Sequence, residues 1–124
     1  MANLEQNLSL ITMISADDMS AAQYRFVSID ADGKVALTGA GLKADGVNQE
    51  APVVDEATVV AISGISFLEV GAGGVTAGDD VASDATGKVV AGVTDDSING
   101  VAVATAAAGE LVAVLLGFGG VVPA

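Results

Sequence analysis

The chain has 124 residues, 16 Asp and Glu against 4 Lys and Arg for a net charge of −12, and neither His nor Cys. The clustered cations that neutralise nucleic-acid phosphates or hold a protein on anionic lipid are absent, so neither nucleic acid nor membrane is expected as a partner. Disulfides, thiolate sites and His-based acid–base or metal chemistry are excluded.

Hydrophobic residues make up 52% of the chain but aromatics only 3%, beside 16 glycines. This mix suits short strands and tight turns and gives a core of small side chains. Such a core is marginal alone, which predicts burial against a second copy or a larger surface.

In chain order, residues 1–19 stand apart as an N-terminal arm. They hold Met1, Met13 and Met19, no glycine, and an apolar run from Leu8 to Ile14. Leu8, Leu10 and Ile14 would share a face of a strand; Leu4, Leu8 and Ile11 would share one of a helix; periodicity leaves both open. The segment has Glu5 and no Lys or Arg, unlike a signal peptide, so synthesis in the cytoplasm is expected. Ser20 could cap a single helical turn before Ala21-Ala22-Gln23.

From Tyr24 the pattern is strand and turn. Arg25, Val27 and Ile29 alternate with polar positions, Asp30-Ala31-Asp32-Gly33 turns, and Val35 and Leu37 alternate again, which predicts a hairpin. A short strand is expected over 44–49, a loop over 51–55, and strands over 58–63 and 65–70. Gly71 to Gly78 breaks the pattern. A second hairpin follows, with Asp84-Ala85-Thr86-Gly87 as its turn, then strands over 98–104 and 111–116. The last of these is apolar on both faces, which fits either a central core strand or one covered by another subunit.

An internal duplication organises this list. Shifted by 54 residues, Asp30-Ala31-Asp32-Gly33-Lys34-Val35 falls on Asp84-Ala85-Thr86-Gly87-Lys88-Val89, Gly46-Val47 on Gly100-Val101, Glu56 on Glu110 and Val60 on Val114. One supersecondary unit used twice, over 20–64 and 74–118 of a single domain spanning 20–124, would bury its apolar faces as a small sandwich or clip.

Catalytic motifs fail in detail. Gly71-Ala72-Gly73-Gly74 lacks the third glycine of a dinucleotide loop, since Thr76 stands there, and Gly33-Lys34 and Gly87-Lys88 are each followed by Val rather than Ser or Thr. Asp30-Ala31-Asp32-Gly33 opens like a calcium loop, but Gly41 occupies the position of the closing Glu. Turn formation is the expected role there, with a weak surface Ca²⁺ site left open. The acidic pairs Asp17-Asp18, Asp55-Glu56, Asp79-Asp80 and Asp95-Asp96 read as solvated loops, because neighbours in a strand point to opposite faces. No enzyme activity and no cofactor are expected.

The stretch from Val75 to Val89, the closing segments Ile98–Ala104 and Gly109–Leu116, and the opening Asp18–Val27 resemble phage capsid decoration (head cement) proteins. One departure is Ala82-Ser83, where such proteins often carry a bulky aromatic. The resemblance implies an all-β fold of β-clip or β-tulip type. It also implies a homotrimer that binds the major capsid protein on the outer surface of the virion and cements neighbouring capsid subunits. On that reading Leu4, Leu8, Leu10, Ile11, Met13 and Ile14 of the arm are the expected capsid contacts, by strand addition. Another phage or surface β-module, of a tail, a fibre or a glycan-binding kind, is the alternative.

Overall fold

A computed structural model describes residues 4–123. The chain is all-β: nine strands form one strongly curled antiparallel sheet, and no helix occurs among the described residues. The strands are β1 (Gln6–Ile14), β2 (Arg25–Ile29), β3 (Val35–Leu37), β4 (Gly46–Asn48), β5 (Ala57–Glu69), β6 (Asp80–Ser83), β7 (Val89–Ala91), β8 (Ser97–Ala102) and β9 (Leu111–Val121). Their order is β3-β2-β4-β5-β9-β8-β6-β7, with β1 added along β5.

The duplication is carried by the hydrogen-bond registers. Val27 lies opposite Leu37 and Val81 opposite Ala91; Val27 also faces Gly46, and Val81 faces Gly100. Val47 faces Ala61 as Val101 faces Leu115. The turns repeat as well. Asp30 accepts the N–H groups of Asp32 and Lys34 on one carboxylate oxygen, and Asp84 does the same for Thr86 and Lys88. Glu56 accepts the Val53 N–H and Glu110 accepts that of Ala107. The acidic pairs also close turns: Asp79 accepts the Thr76 N–H and Asp96 that of Val93. These carboxylates supply the acceptors that turn amides need.

The N-terminal segment, open to strand or helix on periodicity, is a strand within the sheet. β1 pairs with the first half of β5, and the second half of β5 pairs with β9. At the end of β1, Ser15 bridges Val35 in parallel and the Ala16 N–H donates to the Val35 carbonyl; just past β5, Val70 bridges Val89 and Gly71 donates to Val89. So β1 opens the first unit as the second half of β5 opens the second. Each unit curls round until its opening strand meets its own hairpin, and β5 belongs to both.

The strands expected separately over 58–63 and 65–70 therefore form one element. Gly64 does not end it, because it lies against a bulge in β1. Its φ is +96°, Asn7 opposite is at +52°, and a Cβ there would collide with the Asn7 carbonyl. Only glycine tolerates that approach. The capped helical turn at Ser20 is instead a simple turn. The Ser20 hydroxyl and N–H donate to Asp18, which holds that exposed carboxyl below its usual pKa.

Each unit has its own interior. Met19, Ala22, Val27, Val35 and Val60 are buried in the first, with Met13 and Leu37 packed against them. The equivalent Val81, Val89 and Val114 belong to the larger cluster, which also holds Phe26, Val47 and Ala61 from the outer face of the first unit. Phe26 meets Phe118 edge-to-face, with ring centroids 6.5 Å apart. Main-chain bonds cross the boundary too: Phe26 donates to Gly87, Gly41 to Ser83 and Glu69 to Tyr24. Buried Asn99 completes it, accepting the Ala44 N–H at 3.0 Å and donating to the Leu42 carbonyl at 3.2 Å.

Replacing Asn99 by Ala strands the buried Ala44 amide between the units and removes the donor to the Leu42 carbonyl. Asn99→Ala should lower unfolding free energy by about 1–3 kcal/mol, whereas Leu115→Ala, at a side chain 50% exposed, should change it by no more than about 0.5 kcal/mol. Denaturant midpoints at unchanged slope would check both.

Candidate docking face

Charge is segregated by strand. β1 and β9 contain no charged side chain, and β5 contains only Glu69 at its last position. These three strands adjoin one another, so an uncharged sheet surface lies inside a chain of net charge −12. In β9 the uncharged stretch runs on through Val122 and Pro123.

Large apolar side chains are exposed on that surface, beside the exposed polar Gln6, Asn7, Ser9, Thr12 and Ser63. Directly opposed residues in a sheet point to the same side. On one side of the β1–β5 pair, Leu10 and Ile14 stand over Ala61 and Ala57; on the other, Ile11 and Met13 stand over Val60 and Thr58. Leu10 is 53% and Ile14 40% exposed; Ile62, Leu111, Leu115 and Val121 are exposed as well. Ile65, Leu115 and Val101 form a continuous cross-strand row over β5, β9 and β8.

Besides the three-residue end strands β3 and β7, two long strand edges are open among the described residues. β1 pairs only with β5, and β9 beyond Leu115 pairs only with β8. Neither carries the charges that usually protect an exposed edge in solution.

The six residues expected to make contacts do not share one face. Leu4 is exposed just before β1, and Glu5 next to it accepts the Phe67 N–H. Leu10, Ile11 and Ile14 are exposed on the two sides of β1. Leu8 packs against the main cluster and Met13 against the interior of the first unit. Leu8 and Met13 therefore anchor β1, and Leu4, Leu10, Ile11 and Ile14 are available to a partner. Sequence reasoning missed Ile62, Leu115 and Val121. The readable signal was the lack of charge in three separated segments; their adjacency is set by topology.

Electrostatic contacts concentrate elsewhere. Glu69 is shared by Arg25 at 3.2 Å and Lys88 at 3.6 Å, so two of the four cations meet one carboxylate at the unit boundary. Lys34 reaches Asp55 at 2.8 Å, and this hydrogen bond, with the attraction of the charges, raises its pKa. Among the described residues no group of three or more acidic side chains is arranged to hold a metal ion.

No protein-family model matches the chain and no curated protein sequence matches it. Among solved structures its fold is similar to the crystal structure of the head fiber gp8.5 N base in bacteriophage phi29. The TM-score is 0.73 at 17% sequence identity, over 90% of this chain and 95% of that one. A likeness at that identity establishes a shared fold.

The division between anchoring and exposed side chains in β1 is testable in the free protein. Leu10→Ser and Ile14→Ser should leave the melting temperature nearly unchanged, while Met13→Ala, at a half-buried site, should cost about 1–2 kcal/mol; thermal unfolding of the three variants would separate them.

Proposed function

We propose that this chain is a structural protein of a phage head. On this reading it binds the outer surface of the shell, bridges neighbouring major capsid proteins as a decoration or cement protein, and sits there as a homotrimer. Four supports come together: the fold shared with a head-fiber base along nearly the whole chain, the resemblance of Asp18–Val27, Val75–Val89 and Gly109–Leu116 to decoration proteins, the net charge of −12, and the uncharged face of β1, β5 and β9. The observation that carries the reading is this last one. An acidic chain that keeps charge out of three adjoining strands but for Glu69 at the end of β5, and leaves two of them with an open edge, has kept one surface low in self-repulsion and in the desolvation cost of charged groups.

Attachment is assigned to β1. Its free edge can accept a strand of the shell protein, with Leu4, Leu10, Ile11 and Ile14 entering apolar pockets of that partner and Leu8 and Met13 keeping the strand in place. Each fully buried aliphatic side chain would contribute about 1.5–3 kcal/mol before ordering costs. Many copies on one shell need only modest energy each, because attachment at repeated sites is multivalent.

The test uses purified undecorated heads. The Leu10→Ser, Ile14→Ser double variant should fold as the wild type does yet occupy heads at least about tenfold more weakly, a loss of roughly 1.4 kcal/mol or more. Wild-type occupancy by the folded variant would remove β1 from the interface; failure of the wild-type protein to bind any head would sink the proposed function itself.

A further inference from the structure

Four pairs of equivalent positions in the two units adopt a left-handed backbone, among them Gly33 and Gly87 of the hairpin turns. Gly41 and Asp95 have φ of +68° and +70°, Asp55 and Gly109 +66° and +86°, and Tyr24 and Gly78 +62° and +91°. The last pair is fixed by the same hydrogen bond in each unit: Tyr24 donates to the Asn48 carbonyl and Gly78 to that of Ala102, both at 2.8 Å. Asp and Asn enter this region easily and glycine freely, but a bulky aromatic residue there is strained. Among the described residues, three of the four non-glycine residues at positive φ are Asn or Asp; Tyr24 is the exception. The second unit shows that glycine satisfies the backbone at this position. The first unit holds a tyrosine against that strain, and strain of this kind is retained where the side chain has work to do.

The ring lines an open groove of about 370 Å³ at the boundary of the two units, together with Ser20, Gln23, Glu69 and Leu111. Phe67 supports it edge-on, centroids 6.1 Å apart. The tyrosine hydroxyl makes no hydrogen bond to the protein among the described residues. Gln23 donates its amide to the Gln49 carbonyl at 3.1 Å, which fixes the side chain and leaves its oxygen as an acceptor. Glu69 is held by Arg25 and Lys88, so its charge is compensated while lone pairs remain.

We propose that this groove binds a neutral saccharide. The aromatic ring and the Leu111 side chain form an apolar surface for the C–H face of a pyranose, and Glu69, Gln23, Ser20 and the Tyr24 hydroxyl surround it with acceptors and donors for sugar hydroxyls. A shallow site with one supported ring and a few fixed polar groups suits a sugar. The net charge of −12 disfavours acidic sugars. This site is separate from the proposed shell attachment through β1.

The chain contains one tyrosine and no tryptophan, so its tyrosine fluorescence reports on Tyr24 alone. Titration of the intact protein with cellotetraose, chitotetraose and maltotetraose should give a saturable change with at least one of them, at a Kd of about 1 mM or tighter. Tyr24→Gly, which adopts the backbone solution already present at Gly78, should stay folded, the relief of strain offsetting part of the lost Phe67 contact. It should bind that sugar at least about tenfold more weakly by saturation-transfer NMR, while Tyr24→Phe stays within a few-fold of wild type.

The proposal is overturned if none of the three sugars gives a saturable change up to about 20 mM, or if folded Tyr24→Gly binds as tightly as the wild type. It is also overturned if Tyr24→Gly reduces binding to heads and leaves sugar binding untouched, which would make the groove a protein contact. Should Tyr24→Gly fail to fold, Leu111→Glu and Gln23→Ala probe the same groove, with the same loss expected and wild-type binding by both counting against it.

Discussion

The structure depends on one strand serving two units. The first half of β5 closes the first unit against β1 and β4, and its second half opens the second unit against β9. A small β unit of this size cannot stand alone, because too little of its surface is buried. Sharing a strand removes one edge from each unit and places the outer face of the first, with Phe26, Val47 and Ala61, against side chains of the second. Gly64 lets β5 run unbroken past the β1 bulge at the one point where a side chain would stop it.

The same repeat position does different work in the two units. Phe26, Val47 and Ala61 are buried between units, whereas their equivalents Asp80 and Leu115 are exposed and Val101 is half-buried. Val60 faces an interior closed by Met13 and Met19, while Val114 faces the main cluster. Backbone hydrogen bonding is common to both units, so turns and registers repeat faithfully. Side-chain environment depends on what lies next to the unit, so burial does not repeat.

Acidity in this chain has a structural use. Carboxylates close the hairpin turns and several loops by accepting backbone N–H groups, as Asp30, Asp84, Glu56 and Glu110 do in matching pairs. Their charge is therefore confined to turns and loop-facing strand ends. The centre of the sheet stays uncharged, which costs solubility at the open edges and spares a partner the desolvation of charged groups.

Much of this was legible in the amino-acid sequence. Alternation around Asp30–Gly33 and Asp84–Gly87 specified both hairpins, and the identities at a 54-residue shift specified the repeat, because turn chemistry and strand periodicity are local. The absence of His, Cys and clustered cations excluded whole classes of chemistry by composition alone. Only the tertiary structure decided that residues 6–14 form a strand equivalent to the second half of β5, since that equivalence lives in hydrogen bonds to Val35 and Val89 and not in shared residues. It also decided which arm residues anchor and which face outward, and it placed Tyr24 in a groove. Burial and adjacency are properties of strands brought together from distant parts of the chain, and no local pattern encodes them.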